Sequence, residues 1–210
     1  MIRFALLAWL CVAPAIAAPK KSPPRPVVEA PLPDLVRVVL TTEAGPITVE
    51  LDAKRAPVTV RNFVRYVDQK RFDGIVFYRV MRLAWGEQPN GLIQAGTRGD
   101  AKRVLAPIAH ETTAQTGITH KAGTLSMARF APGTATGDFS ILLSDMPGLD
   151  ANAPGVADTA GYAAFGRVVE GMETVRRIYD APLSPTLGEG MLKGQMLDPG
   201  IRIVTARRFP

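Results

Sequence analysis

Eight short runs of β-branched and aromatic residues, each closed off by Gly, Pro or Asp, constrain this chain more than any other feature. They occupy residues 36–42, 47–51, 75–80, 92–95, 124–128, 139–143, 163–169 and 201–205. Runs so short and so regularly punctuated read as strands. The first two are separated by Glu43-Ala44-Gly45-Pro46, the turn chemistry of a hairpin. Helical periodicity is confined to two places. After Pro57, which suits a first turn, Val60, Phe63, Val64 and Val67 recur at i, i+3, i+4 and i+7, leaving Arg61, Asn62, Arg65 and Asp68 for a wet face. Met172, Val175, Ile178 and Tyr179 form the second stripe. Lone helices scattered among strands cannot make repeating βαβ units. The expected fold is therefore mainly β: a closed eight-stranded antiparallel β-barrel capped by two α-helices, with Phe77 and Phe165 in its core.

The ends of the chain are organised differently. Arg3, an apolar stretch over 4–12 and Ala15-Ile16-Ala17 before Ala18 reproduce the three-part pattern of a secretory signal peptide. The apolar run is far shorter than the roughly 20 residues a membrane-spanning helix needs. Residues 1–17 are thus expected to be cleaved, leaving a periplasmic or secreted protein. Residues 18–34 are rich in proline and poor in side chains to bury, a semi-extended linker. The folded domain is expected over 35–210. The formal charge of +6 would suit an acidic partner, but Lys and Arg fall in scattered pairs rather than a stripe, which argues against nucleic acid.

The residue inventory excludes several chemistries. The single cysteine, Cys11, leaves with the leader, and disulfides, thiol catalysis and cysteine-bound metal leave with it. His110-Glu111 opens like a zinc-protease motif, yet Ala114 stands where the second histidine is needed. No G-x-S-x-G occurs, and Gly188-Glu189-Gly190 lacks the flanking strand and helix of a dinucleotide loop. No metal site is expected.

One ordered set of motifs has real specificity. Asp73 to Val80 (DGIVFYRV), Leu92 to Gly96 (LIQAG), Gly123 to Ala128 (GTLSMA) and Ala164 to Met172 (AFGRVVEGM) together resemble the cyclophilin family of peptidyl-prolyl isomerases, over about residues 36–205. The resemblance implies an eight-stranded barrel with two capping helices, in agreement with the count above. It implies an enzyme that needs no nucleophile, metal or cofactor and acts, as a monomer, on proline-containing peptides or unfolded polypeptides. It also makes Arg79 the guanidinium beside the prolyl nitrogen, with Gln94 orienting it, and carries substrate contact to Leu92, Ala128, Arg129, Phe139, Ser140, Leu149 and Tyr162.

The match thins around the proline pocket. Ser140 and, across an insertion, Gly91 stand where the family commonly has phenylalanine; Asp138 replaces a glutamine and Tyr162 a histidine. Insertions fall within 81–91 and between Leu149 and Tyr162. With Trp9 lost in the leader, Trp85 is the mature chain's tryptophan. It is expected to fold into the space left by Ser140 and Gly91 and touch substrate, or else to pack against Leu83 or the barrel rim. Two functions stay open: an isomerase serving the folding of exported proteins, or a barrel that has lost turnover and holds a proline-containing segment of a partner.

Overall fold

The computed structural model describes residues 30–209; the leader and most of the linker lie outside the described residues. Eight strands follow in order: β1 (Leu35–Thr42), β2 (Gly45–Asp52), β3 (Val76–Met81), β4 (Leu92–Gly96), β5 (Thr124–Met127), β6 (Phe139–Leu142), β7 (Ala164–Glu170) and β8 (Met196–Arg208). They close into a barrel in the order β1-β2-β7-β5-β6-β4-β3-β8, every neighbouring pair antiparallel. The compact unit begins at Leu32, whose side chain packs on the core.

All the expected strands are present, and β8 is much longer than its sequence signal. Pro199-Gly200 masks its first half, where a strand pattern breaks. The strand persists there through a register shift against β3 between Met196 and Ile201, and it passes to β1 from Ile203 onward. Both expected helices form, α1 (Pro57–Asp68) and α3 (Met172–Asp180). Between them lies one further turn of helix, α2 (Thr113–Thr116), too short for periodicity to reveal but held by a capping box between Thr112 and Gln115.

The core is built by alternation. Val36, Val38 and Leu40 of β1, Ile47, Val49 and Leu51 of β2, and Phe77, Ile93, Leu125, Phe139, Ile141 and Phe165 all point inward and are buried. Helix α1 closes one side by laying Phe63 among Phe72, Phe139 and Phe165, ring centroids 4.9, 5.2 and 5.4 Å away. Tyr66 stacks on Phe72 at 4.9 Å. Asn62 departs from its expected place on the wet face. It is 3% exposed, and its Nδ2 donates to the Thr136 carbonyl at 2.6 Å, tying α1 to the segment that leads into β6.

Glu111, the residue that gave the false look of a zinc motif, has a structural job. No side chain caps α1 from its own N-cap, Ala56. Glu111 reaches across instead, accepting from the backbone N–H of Val58 at 3.0 Å and of Thr59 at 2.8 Å, and from the Thr59 hydroxyl at 2.7 Å. A carboxylate here satisfies orphan donors and sits at the positive end of the helix dipole. Glu111→Ala should lower stability by about 1–2 kcal/mol in urea denaturation, the usual worth of a lost cap; an unchanged midpoint would refute that role.

Candidate active site

A β-bulge builds the site. In a regular strand Phe77 and Arg79 would share a face, yet Phe77 is fully buried in the core while Arg79 stands on the outside. The pairing of β3 shifts between Phe77 and Arg79 against both β4 and β8. The extra residue sends Tyr78 and Arg79 both outward, and Val80 returns to the core at 1% exposure. Arg79 then pairs with Gln94 across β4. Its Nη1 donates to Gln94 Oε1 at 3.0 Å and its Nε to Gln195 Oε1 at 2.9 Å. Burial lowers the Arg79 pKa from its ordinary value, and the neighbouring Tyr78 and Tyr162 pull it back up. The group stays cationic at any ordinary pH.

The register orders what lies beside this pair. Gln94 is opposite Ser140, and Ser140 is opposite Ser126, so Arg79, Gln94, Ser140 and Ser126 form a polar row across β3, β4, β6 and β5. Two residues along the strands in one direction is an apolar row: Leu92 faces Leu142, and with Met146 they make a small cluster separate from the barrel core, joined by Met81, Leu83 and Leu149. Two residues along in the other direction lie Gly96 and Asp138. A Cβ on Gly96 would collide with the Asp138 side chain, so the carboxylate lies directly over that glycine. Asp138 accepts from Tyr78 Oη at 3.0 Å, Thr97 Oγ1 at 3.4 Å and the Arg98 N–H at 3.2 Å. Burial pushes the Asp138 and Tyr78 pKa values up, and each depends on the other's hydrogen bond.

The sequence-predicted contacts divide. Leu92, Ser140, Leu149 and Tyr162 come together around the Arg79–Gln94 row, the last two joined by the Tyr162 N–H donating to the Leu149 carbonyl at 2.8 Å. Ala128 stands half-buried where its N–H meets the Asp138 carbonyl at 2.9 Å. Phe139 faces inward and is fully buried, so it supports the row from the core and offers no surface to a peptide. Arg129 is likewise occupied: its side chain is 1% exposed, lies 4.7 Å over the Tyr162 ring, and donates to the Gly161 carbonyl and to Asp158 at 2.6 Å. It holds the second insertion and Tyr162 in place. Trp85 does not enter the space beside Ser140; its side chain is 71% exposed. Gly91 offers no vacancy either. Its φ of +92° and the collision a Cβ would make with the Met81 carbonyl leave glycine the residue that fits.

Gln195 had no sequence signal, since its partner Arg79 is far away along the chain. The same holds for a buried chain behind the polar row. His120 Nδ1 donates to Asp150 Oδ1 at 2.7 Å, and His120 Nε2 accepts from Ser126 Oγ at 2.8 Å. The order of bonds is that of a hydrolase triad. Burial of Ser126 to 3% and His120 to 1% denies the hydroxyl a substrate. The chain instead pins β5 to the turn that carries Leu149. Burial lowers the His120 pKa from 6.5, while Asp150 partly restores it. The unfolded chain therefore takes up this proton more readily, and stability rises with pH through the window just below 6.5. Between pH 7 and 5 the wild type should lose up to ~1.4 kcal/mol per pH unit more than His120→Asn. Equal slopes in urea titrations of the two would remove His120 from the pH dependence.

Comparison with known proteins identifies the family. The family model for cyclophilin type peptidyl-prolyl cis-trans isomerases matches residues 37–207. A peptidyl-prolyl cis-trans isomerase of Acinetobacter baylyi is 37% identical over 151 residues, covering 70% of this chain and 73% of that one. Peptidyl-prolyl cis-trans isomerase A of Dickeya dadantii is 38% identical over 143 residues, 67% and 70% of the two chains. A cyclophilin type isomerase of Cryptosporidium parvum superposes with a TM-score of 0.66 at 20% identity, over 84% of this chain and 98% of that one, which speaks to the fold. The chain therefore belongs to the cyclophilin-type peptidyl-prolyl cis-trans isomerase family.

Proposed function

We propose that this peptidyl-prolyl isomerase accelerates X-Pro rotation in exported polypeptides, with Arg79 as the group that lowers the barrier and Gln94 and Gln195 as its holders. Amide resonance sets an uncatalysed barrier of roughly 18–20 kcal/mol. Twisting the bond breaks that resonance, and the prolyl nitrogen becomes a pyramidal acceptor with a lone pair. A guanidinium beside it donates a hydrogen bond that the planar ground state accepts poorly, so the interaction strengthens only as the barrier is climbed. No bond to the enzyme forms and no proton is transferred.

The observation that carries this reading is the outward placement of Arg79 with neutral partners on two sides. Gln94 and Gln195 accept from Nη1 and Nε without cancelling the charge, whereas a carboxylate would claim it. The polar row then separates two kinds of surface, the apolar ledge of Leu92 and Leu149 for a proline ring and the Asp138 end for the chain beyond it. Ser140 gives that ledge less apolar surface than a phenylalanine would, a deficit of roughly 1.5–3 kcal/mol. Such a pocket divergence favours weak, fast-exchanging binding. A catalytically silent barrel that only holds a proline-containing partner is the competing reading, and turnover decides between them.

Export is supported by Arg3, the apolar stretch and Ala15-Ile16-Ala17, and in this reading the mature protein works as a monomer in the periplasm or outside the cell. Mass spectrometry of the protein from its native envelope should give an N-terminus near Ala18; a full-length cytoplasmic species would contradict export. For the chemistry, Arg79→Ala should lose about 100-fold or more in kcat/KM on a proline tetrapeptide, the usual cost of one transition-state donor, while keeping a near-native urea midpoint. Arg79→Lys should recover little, because a point charge cannot satisfy both glutamines and the prolyl nitrogen at once. Wild-type turnover in the alanine variant would discard this role, and an inert wild type that still binds proline peptides would establish the partner-holding module.

A further inference from the structure

Two aromatic side chains stand bare at opposite ends of the groove. The groove in question is the substrate face proposed above, which runs from Leu92 to Gly96 along β4, about 14 Å or four extended residues. At the Leu92 end, the β3–β4 connection carries Trp85, 71% exposed. At the Gly96 end, where the Ala128 N–H meets the Asp138 carbonyl, the chain turns outward and carries Phe130, 97% exposed.

Neither ring is on a loose segment. Phe130 is held from both sides of its backbone: its N–H donates to Thr134 Oγ1 at 3.1 Å, and its carbonyl accepts from Arg129 Nη1 at 3.0 Å. Thr134 Oγ1 donates onward to the Ala131 carbonyl at 2.7 Å. The Trp85 loop is closed by Asn90, buried to 3%, which accepts from the Leu83 N–H at 3.0 Å and donates to the Trp85 carbonyl. Gln88 donates to the Leu83 carbonyl at 3.1 Å and accepts from Tyr179 Oη at 3.1 Å, fastening the loop to α3. Hydrogen bonds that immobilise a backbone while its large apolar side chain faces water bury nothing for the fold. They do remove most of the ordering cost of using that side chain in binding.

We infer that Trp85 and Phe130 are rigid handholds for an extended, unfolded polypeptide lying along the groove, gripping apolar side chains about two to four residues to either side of the proline. The inference rests on the isomerase reading of the same groove and narrows its substrate: unfolded chains with apolar residues flanking proline are favoured over short or polar-flanked peptides. Both loops continue past the ends of the ~14 Å face, so an extended chain centred on the proline meets Trp85 and Phe130 with residues about three positions away, roughly 20 Å apart, and this continuity identifies the occupant.

Two synthetic twelve-residue peptides test this, identical except that the positions three before and three after the single proline are Phe in one and Ser in the other. NMR exchange measures kcat/KM on each with the full mature protein. Wild type should prefer the Phe-flanked peptide by about tenfold, each of Trp85→Ser and Phe130→Ser should cut the preference by about threefold, and the double variant should bring it near unity. Trp85→Phe and Phe130→Leu should restore most of it, which separates loss of an apolar grip from a misfolded loop. Equal kcat/KM on the two peptides in wild type overturns the inference and leaves the isomerase reading standing, whereas no isomerisation of either peptide defeats the isomerase reading itself. Sedimentation showing a dimer that the double variant abolishes would assign the rings to a second copy of this chain and overturn the inference as well.

Discussion

The site hangs on one irregularity in an otherwise regular barrel, the bulge at Tyr78. Without it, the alternation that buries Phe77 would bury Arg79 as well, and a guanidinium would have to be desolvated against Ile93 and Ile141 at a cost of several kcal/mol. With it, two consecutive polar side chains face out and Val80 still fills the core. The same extra residue is matched on the other neighbour by the bend in β8, where Pro199-Gly200 lies opposite and Gln195 is delivered to Arg79 Nε. One strand defect therefore places both the cation and one of its holders.

What the sequence made legible follows from locality. Strand runs, the α1 stripe and the hairpin turn depend on residues a few positions apart, and they appear where periodicity puts them. The first half of β8 does not, because Pro199 and Gly200 carry local signals that oppose a strand, and only its partner β3 outweighs them. Asn62 fails for a similar reason. Its helical position is outward by period, but the segment before β6 crosses α1 there and offers a carbonyl. The candidate pair Arg79 and Gln94 came from motif resemblance, and the second partner of Arg79, Gln195, could not. Gln195, and the Ser126–His120–Asp150 chain, join residues whose common feature is meeting in space, and nothing in their own neighbourhoods marks them.

Arg129 shows how an insertion can be absorbed without loosening the barrel. A guanidinium with a side chain 1% exposed is costly unless each N–H finds a partner. Here it meets two backbone carbonyls, the Asp158 carboxylate and the face of Tyr162, and it holds the Asp158 pKa down. The insertion supplies Gly161 and Asp158, and the connection that follows β5 supplies the arginine. The added loop thus repays its ordering entropy by satisfying a charge, and in doing so sets the plane of Tyr162 beside the polar row. Reading Arg129 as a substrate contact from motif position alone misses this, because the motif specifies the side chain and the insertion specifies what it holds.

Catalysis of a bond rotation asks little of reactivity and much of placement. The lone pair on the prolyl nitrogen exists only near the top of the barrier, so the donor must wait in position without being spent. A carboxylate partner would hold Arg79 more tightly and weaken it as a donor to anything else; two amide oxygens hold it and leave the charge. The surrounding polar chain serves the same end at a distance. Ser126 is tied through His120 to Asp150, next to Leu149, so the turn that carries Leu149 is fastened to β5. Rigid sheet, occupied glutamines and a pinned leucine turn are three forms of one requirement, that the geometry be complete before the peptide bond begins to twist.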